Sequence, residues 1–269
     1  MIQIACDVHT HSLFSRHAYS TVEEDVRAAS EQGFELLGIT DHFSSMLFDE
    51  QSLKNFQFFI NLKAWPREWH GVTLLRGCEA DIVDLDGNLF GHDIPVAQNI
   101  TGEPYRSPST LKRRVFSTLD YVIASIHRKD FTLDATPAQN AQMYINALQD
   151  PKVLTLGHLG RSGVNFELDP VLEAARELGK CIEVNEASLC EPRKRADSLE
   201  PCARILVRAA ELGVNVTFGS DAHMAPGIAH YEATRALLEE IDFPEELLVC
   251  RSAEAFLATA RAALPDFSL

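Results

Sequence analysis

Short apolar runs alternate along the chain with longer segments in which apolar residues recur every three or four positions. The short runs are rich in Val, Ile, Leu or Thr, and each is followed by Gly, Asp, Asn or His, as is typical of buried parallel strands. Strands that alternate with helices in one parallel sheet form either an open doubly wound sheet or a closed barrel. Seven strands are predicted in this way, at residues 2–8, 35–40, 72–79, 120–126, 152–156, 181–185 and 215–219.

Capping and terminating residues locate three of the helices between these strands. The predicted helices span residues 22–32, 170–178 and 199–212, and each ends immediately before a glycine. Asp169 is the expected N-cap of the second helix, which places Pro170 at its first position. Residues 84–88 predict a tight turn after the third strand, and the pattern then breaks over about residues 88–112. We interpret this segment as an insertion that could be a lid, within a single domain that spans residues 1–269.

Composition narrows the class of protein further. The hydrophobic fraction of 46% is enough for a large core, and no apolar run approaches the roughly 18 residues of a membrane span. We see no signal peptide, and six cysteines without a Cys-x-x-Cys pair favour reduced thiols in the cytoplasm. A formal net charge of −15 argues against indiscriminate duplex binding, which depends on Lys and Arg.

Histidines and carboxylates recur just past the predicted strand ends. In a strand, side chains at positions i and i+2 point the same way, so Asp7, His9 and His11 share one face. If that face looks into a barrel, imidazoles and carboxylates from many strands converge at its open end. This recurrence predicts a metal cluster at the mouth of a barrel. Its candidate ligands are His9, His11, His17, His42, Glu79, His127, His158, Asp221 and His223.

The motifs that contain these residues resemble the PHP (polymerase and histidinol phosphatase) family. They read Asp-Val-His-Thr-His, His17, Ile-Thr-Asp-His-Phe, Gly-Cys-Glu-Ala-Asp, Ala-Ser-Ile-His, Leu-Gly-His-Leu-Gly and Gly-Ser-Asp-Ala-His, and they extend from Asp7 to His223. The resemblance implies an α/β fold, a distorted (β/α)7 TIM-like barrel, with a site for three divalent ions. A histidine-rich site with carboxylates accepts Zn, Mn or Fe.

The resemblance also implies how the ligands are grouped. Glu79 would bridge two ions, and each ion would be held by its own set of side chains. The first set is His9, His11, Glu79 and Asp221, the second is Glu79, His127 and His158, and the third is His17, His42 and His223.

Metal chemistry then gives an expected mechanism. Two ions about 3.5–4 Å apart can deprotonate a bridging water, because a bound divalent ion lowers the pKa of water to about 7. The hydroxide would attack phosphorus in line, with Glu79, Asp221 and His223 acting through the metals. No general acid can be named from the sequence. Asp7 and Asp41 are expected behind the ligands, where hydrogen bonds would orient the histidines.

Four residues are predicted to contact the substrate. Arg128 and Arg161 follow ligand histidines, where a guanidinium can bind phosphate through two hydrogen bonds. Asn185 would line the site, and Arg195 belongs to a basic run on the same side of the barrel. Glu186 departs from the Asn and Ser residues common in related phosphatases, and a carboxylate there could repel an anionic substrate or select an amine.

The sequence therefore predicts a metal-dependent phosphatase that acts on a small phosphomonoester, with histidinol phosphate as one possible substrate. A nucleotide phosphodiesterase or exonuclease of the same family is the first alternative, although it would need a basic, aromatic-lined track. An amidohydrolase, which also places His-x-His on its first strand, is the second. A non-catalytic metal-binding regulatory domain is the third.

Overall fold

The computed structural model of the chain describes residues 2–190 and 192–269, with the backbone alone for residues 192–195. Over these residues eleven strands and eight α-helices are present. The strands are β1 (Cys6–Thr10), β2 (Leu36–Ile39), β3 (His42–Phe43), β4 (Glu68–Trp69), β5 (Val72–Asp81), β6 (Pro95–Gln98), β7 (Pro104–Thr110), β8 (Tyr121–Ser125), β9 (Val153–Leu156), β10 (Cys181–Asn185) and β11 (Asn215–Gly219). The helices are α1 (Val22–Glu31), α2 (Leu111–Phe116), α3 (Pro137–Leu148), α4 (Leu168–Glu177), α5 (Glu186–Cys190), α6 (Pro192–Leu212), α7 (Glu232–Glu240) and α8 (Ala253–Ala263).

Seven of these strands form a parallel sheet that curls into a barrel, in the order β1-β2-β5-β8-β9-β10-β11. At the carboxyl end β1 and β11 meet, since the His11 amide donates to the Ala222 carbonyl at 2.9 Å. At the opposite end another segment lies between them. There the Ala5 amide donates to the Cys250 carbonyl at 2.9 Å, and Val216 forms a parallel bridge with Leu248. The predicted distorted (β/α)7 barrel is thus confirmed, and this inserted segment is one source of its distortion.

The three predicted helices are present as α1, α4 and α6, but α6 begins at Pro192 and not at residue 199, and one predicted cap is wrong. α1 begins with a capping box in which Thr21 and Glu24 exchange hydrogen bonds. α4, however, begins at Leu168 and has no side-chain cap. The Asp169 carboxylate instead accepts two hydrogen bonds of 2.8 Å from Arg208 of α6, so it joins two helices and does not cap one. Among the described residues, no helix combines the length and apolar character needed to cross a membrane.

The segment of about residues 88–112 forms the antiparallel pair β6–β7 and leads into α2. The tight turn that precedes it is present. Gly87 has a φ of 76°, and the Asp84 carboxylate accepts hydrogen bonds from the amides of Asp86 and Asn88 at 3.0 Å. The residues found to line the cavity at the barrel mouth come from other segments. The role of this segment as a lid stays a prediction.

An aromatic cluster supports the strand that leads to His42. The Phe43 ring is fully buried and meets the rings of Phe56, Phe59 and Phe90 edge-on at 4.9 to 5.8 Å between centroids. Because β3 pairs with β5 in the register His42–Glu79, this packing fixes the height of His42 above the barrel. The cluster therefore connects the hydrophobic core directly to the residues at the mouth.

The Phe43→Ala variant should lower the free energy of unfolding by about 3–5 kcal/mol, since it removes a fully buried ring from its contacts with Phe56, Phe59 and Phe90. Urea unfolding of the metal-free protein measures this change. Phe14→Ala is the matched control, because Phe14 is 43% exposed and its loss should cost no more than about 1 kcal/mol. Equal effects of the two substitutions would contradict the proposed role of the cluster.

Asp25 is a buried carboxyl on the inner face of α1. Neither of its oxygens makes a well-formed hydrogen bond to a described residue. Burial, with a smaller contribution from Asp41, raises the pKa of Asp25 from 3.8 to about 8. An unfolded chain releases this proton near the ordinary pKa, whereas the folded chain keeps it until about pH 8. A rise in pH between these values therefore favours unfolding.

We expect Asp25→Asn to stabilise the protein relative to the wild type by an amount that grows as the pH is raised from about 4 to 8. Unfolding by urea at a series of pH values measures the difference. Glu31→Gln on the same helix is exposed and serves as the control, for which no such trend is expected. A difference between Asp25→Asn and the wild type that does not change with pH would show that the buried group is not titrating as described.

Candidate metal centre

The carboxyl ends of the barrel strands bring together all nine side chains that the sequence predicts as metal ligands. Three of them, His9, His11 and Glu79, are fully buried on or just beyond β1 and β5. His17 lies at the exposed edge of the group, where its Nε2 is 2.9 Å from Nε2 of His223. The others are His42, His127, His158, Asp221 and His223, which follow β2, β8, β9 and β11.

Glu79 stands at the centre of this group. One carboxylate oxygen, Oε2, is 2.8 Å from Nδ1 of His42 and 3.4 Å from Nε2 of His9. The other, Oε1, is 2.8 Å from Nε2 of His158 and 3.4 Å from Nε2 of His127. A carboxylate that faces imidazoles on both oxygens has the arrangement that a bridging ligand needs.

Three groups of donors are close enough to share an ion, with their ligand atoms within 4.8 Å of one another. The groups are His9, His11 and Asp221; His11, His42 and His223; and His42, Glu79 and His127. The first lies within one set that the family resemblance implies. Each of the other two groups combines residues from two different implied sets, because His11 and His42 lie close to ligands of more than one set. The assignment of ligands to particular ions stays a prediction.

Several of the buried atoms have no hydrogen-bond partner among the described residues. They include Nε2 of His9, Nε2 of His11, Nδ1 of His42 and Oε2 of Glu79. Although Nδ1 of His42 and Oε2 of Glu79 are 2.8 Å apart, neither is satisfied in hydrogen-bond geometry. Unpaired buried polar atoms are costly, and divalent cations would satisfy imidazole nitrogens and carboxylate oxygens together. The residues present therefore fit a metal centre.

Electrostatic coupling within the centre is strong. Burial acts to raise the pKa of Glu79, but the imidazoles of His127, His9 and His42 outweigh it and hold the pKa well below its ordinary value. Burial and the neighbouring His42 lower the pKa of His11 well below its ordinary value. A permanently ionised carboxylate and a neutral imidazole are the forms that bind metals.

Two carboxylates that the sequence analysis did not single out orient ligand histidines. Oε1 of Glu183 is 2.5 Å from Nδ1 of His9, and Oε2 accepts a 2.8 Å hydrogen bond from the His158 amide. Asp81 makes the corresponding contact on the other side, with Oδ1 at 2.6 Å from Nδ1 of His127. Each carboxylate binds the ring nitrogen that faces away from the cluster, which fixes the orientation of the ring.

Asp7 and Asp41, the predicted orienting residues, contact no ring of a ligand histidine directly among the described residues, although Asp7 accepts a 3.4 Å hydrogen bond from the backbone amide of His9. Asp41 accepts hydrogen bonds of 2.7 Å from the hydroxyls of Ser12 and Ser15, and Ser15 Oγ in turn lies 3.0 Å from Nδ1 of His11. Asp41 thus reaches a ligand histidine through a serine. Asp7 accepts hydrogen bonds of 3.1 Å from the amides of Ser220 and Ala229, and so holds the loop after β11.

Two candidate ligands adopt backbone conformations that are rare for residues other than glycine. The φ angles are 28° for His158 and 55° for Asp221. The hydrogen bond from the His158 amide to Glu183 and one of 2.8 Å from the Asp221 amide to the His9 carbonyl hold these conformations. Backbone strain of this kind costs about 1–3 kcal/mol and is found preferentially at functional sites.

A cavity of about 820 Å³ opens above the cluster. Of the predicted substrate contacts, Arg161 lines it and donates a 3.0 Å hydrogen bond to Oδ2 of Asp221. Lys129 lines it as well, although the sequence analysis did not select it; its position two residues after His127 was the available signal. Both are cations beside the candidate ligands, so the cavity can hold an anion.

Two other predicted substrate contacts, Arg128 and Asn185, do not line this cavity, and neither does Glu186. Arg128 is exposed, with its guanidinium 3.5 Å from the Asp130 carboxylate. Asn185 is buried, and its Oδ1 accepts hydrogen bonds from the amide and hydroxyl of Ser188. The Glu186 carboxylate accepts hydrogen bonds from the first amides of α7, at Ala233 and Thr234, so it is not directed at a substrate. The side chain of Arg195 falls outside the described residues.

Known proteins of similar sequence extend over nearly the whole chain. A probable phosphatase of Caldanaerobacter subterraneus subsp. tengcongensis is 34% identical over 253 residues, which cover 94% of this chain and 89% of that protein. A probable phosphatase of Caldicellulosiruptor saccharolyticus is 36% identical over 256 residues, which cover 95% of each chain.

Among solved structures, the histidinol phosphate phosphatase of Lactococcus lactis subsp. lactis, complexed with zinc, L-histidinol and phosphate, shares the fold. Its TM-score is 0.56 at 20% identity, over 89% of this chain and 94% of that one. The PHP domain model matches residues 7–187, a range that includes six of the strands of the barrel and seven of the nine candidate ligands. On this match and on that of its relatives, the chain belongs to the PHP domain family.

Proposed function

We propose that this protein is a metal-dependent phosphatase that cleaves a small phosphomonoester. The observation that carries the proposal is the convergence of Glu79 and Asp221 with seven imidazoles below a cavity that two cations line. Relatives that cover more than nine tenths of the chain are named probable phosphatases. The Lactococcus lactis neighbour binds zinc, L-histidinol and phosphate, which supports a small phosphorylated substrate for the shared fold.

The proposed centre holds three divalent ions, of Zn, Mn or Fe, on the nine candidate ligands. When bound, such ions supply charge stabilisation for a phosphoryl group and activate water as a nucleophile. In this proposal Glu79, Asp221 and His223 would be among the residues that hold these ions, with Glu79 shared between two of them. Glu183 and Asp81 hold the rings of His9 and His127, so the ligand nitrogens need little reorganisation when an ion binds.

Arg161 and Lys129 would position the phosphoryl group. One guanidinium nitrogen of Arg161 is engaged with Asp221, which leaves its other donors available to phosphate oxygens. Lys129 donates a 3.0 Å hydrogen bond to the Gly163 carbonyl, so the ammonium is already held at the cavity wall. Cations placed in advance stabilise charge on a phosphoryl group without reorganisation during the reaction.

The size of the cavity, about 820 Å³, suits a small molecule. With a net charge of −15, the chain offers little support for a long nucleic-acid track. Five cysteines are buried, and burial raises the pKa of the thiols of Cys181 and Cys202 to about 12. Such thiols are unreactive, and we infer that the protein works in the cytoplasm, where thiols stay reduced.

The protein loaded separately with Zn, Mn and Fe should release orthophosphate from small phosphomonoesters and lose this activity after chelation. Bound metal is counted by elemental analysis, and phosphate release is measured on monoesters, phosphodiesters and short oligonucleotides. Arg27→Ala, at an exposed arginine of α1 that does not line the cavity, is the control that should keep activity. Cleavage of diesters alone would favour the phosphodiesterase alternative. Cleavage of cyclic amides without phosphate release would favour an amidohydrolase. Full metal occupancy without turnover of any substrate would favour a regulatory domain.

Glu183→Gln should weaken metal binding by about 10–100-fold, because the amide cannot replace the negative charge that holds the His9 ring. Competition with a chromophoric chelator measures the affinity. Glu173→Gln, an exposed residue of α4, removes the same charge elsewhere and should leave the affinity unchanged. Equal affinities in the two variants would remove Glu183 from its proposed orienting role.

A further inference from the structure

A second cavity lies beside the one above the metal ligands. It has a volume of about 420 Å³ and lies between the loop after β9, the start of α4 and the middle of α6. Arg161 lines both cavities, so the two cavities are adjacent and its side chain lies between them. The phosphatase proposed above does not by itself account for this second space.

The walls of the two cavities differ in chemistry. Five imidazoles, Lys129 and Arg161 contribute to the lining above the metal ligands. The side cavity is lined by apolar residues, of which Leu159, Val164 and Ile205 belong to the buried core, and on the α6 side also by the charged side chains of Asp197 and Arg204. A charged phosphoryl group therefore suits the first cavity, and an organic group of about ring size, with its apolar body against the core residues, suits the second.

The walls of the side cavity are held in place. Gly160 lies so close to α6 that an added Cβ would be 2.4 Å from the Cys202 sulfur and 3.0 Å from its backbone nitrogen. The Asn165 carbonyl accepts a 2.9 Å hydrogen bond from the Asn140 side chain. Phe166 packs edge-on against Tyr144, with 5.0 Å between ring centroids. The side cavity is therefore formed before any ligand binds, which lowers the entropic cost of binding.

We propose that the side cavity binds the leaving group of the substrate, and that this group has an apolar body of about ring size. The inference rests on the proposed phosphatase function and specifies its substrate class. A phosphomonoester joins one charged end to one organic end through a single oxygen. That shape matches two adjacent cavities, one lined by imidazoles and cations and one with apolar core residues in its wall, with Arg161 at their junction.

Asn165→Trp tests the proposal, because the Asn165 side chain is exposed at the cavity rim and a large ring there would occupy the space. The backbone carbonyl that bonds to Asn140 is retained. The metal-loaded variant and wild type are compared on 2-naphthyl phosphate and on glycerol phosphate. Each variant is compared with wild type on the same substrate, so differences in leaving-group reactivity cancel. Glu177→Trp, at an exposed residue of α4 that lines neither cavity, is the matched control.

Asn165→Trp should lower kcat/KM for 2-naphthyl phosphate by about tenfold or more, mainly through a higher KM, and should leave kcat/KM for glycerol phosphate nearly unchanged. The control variant Glu177→Trp should have nearly the wild-type kcat/KM on both substrates. In addition, 2-naphthol should inhibit the wild type more strongly than Asn165→Trp, while orthophosphate inhibits both equally. A wild type that cleaves both esters, with Asn165→Trp affecting them equally, overturns the assignment of the side cavity alone. A wild type that cleaves neither ester overturns the proposed function and the assignment with it.

Discussion

The fold places a fully buried carboxylate, Glu79, among imidazoles that approach it from four different strands or loops. A charge removed from water in this way is costly unless it is compensated. In the protein alone, His9 and His127, whose pKa the nearby carboxylates raise against the effect of burial, supply part of that compensation, but several ligand atoms stay without hydrogen-bond partners among the described residues. Cations would satisfy all of them at once. The rigid strands of the barrel thus hold the ligand atoms close together at its carboxyl end, although these atoms are not all satisfied by one another.

The strands could be predicted because each is a continuous apolar run between polar residues, and the structure has all seven within a few residues of the predicted bounds. The largest difference is in the first strand, which spans Cys6–Thr10 and not residues 2–8. Ala5 pairs with Cys250, from a segment nearly the whole chain away, so the barrel ladder of β1 starts later. A contact of that kind depends on the tertiary structure and leaves no local pattern.

The ligand types could be predicted for the same reason, since alternation along a strand fixes which side chains share a face. Glu183 and Asp81 follow that rule too, two residues from Asn185 and Glu79 respectively, and could have been found by extending it. The contact from Asp41 to His11 could not, because it runs through Ser15 in a short 3-10 turn. Likewise, Asn185 and Glu186 form hydrogen bonds at helix starts whose position depends on neighbouring elements.

The net charge of the whole chain and the local charge around the metal ligands have opposite signs once metal ions are bound, and both bear on which substrate the site can bind. The chain as a whole is acidic, at −15, yet the space above Glu79 is bordered by Arg161 and Lys129. Three divalent ions would add about six positive charges there, against the carboxylates of Glu79, Asp81, Glu183 and Asp221. The loaded site would therefore be positive inside an acidic surface. Such an arrangement attracts a compact anion that contacts the site alone. An extended polyanion would also lie within the Debye length of about 8 Å of the acidic surface around the site and would be repelled there. This difference is a physical reason to prefer a small phosphomonoester over a nucleic acid.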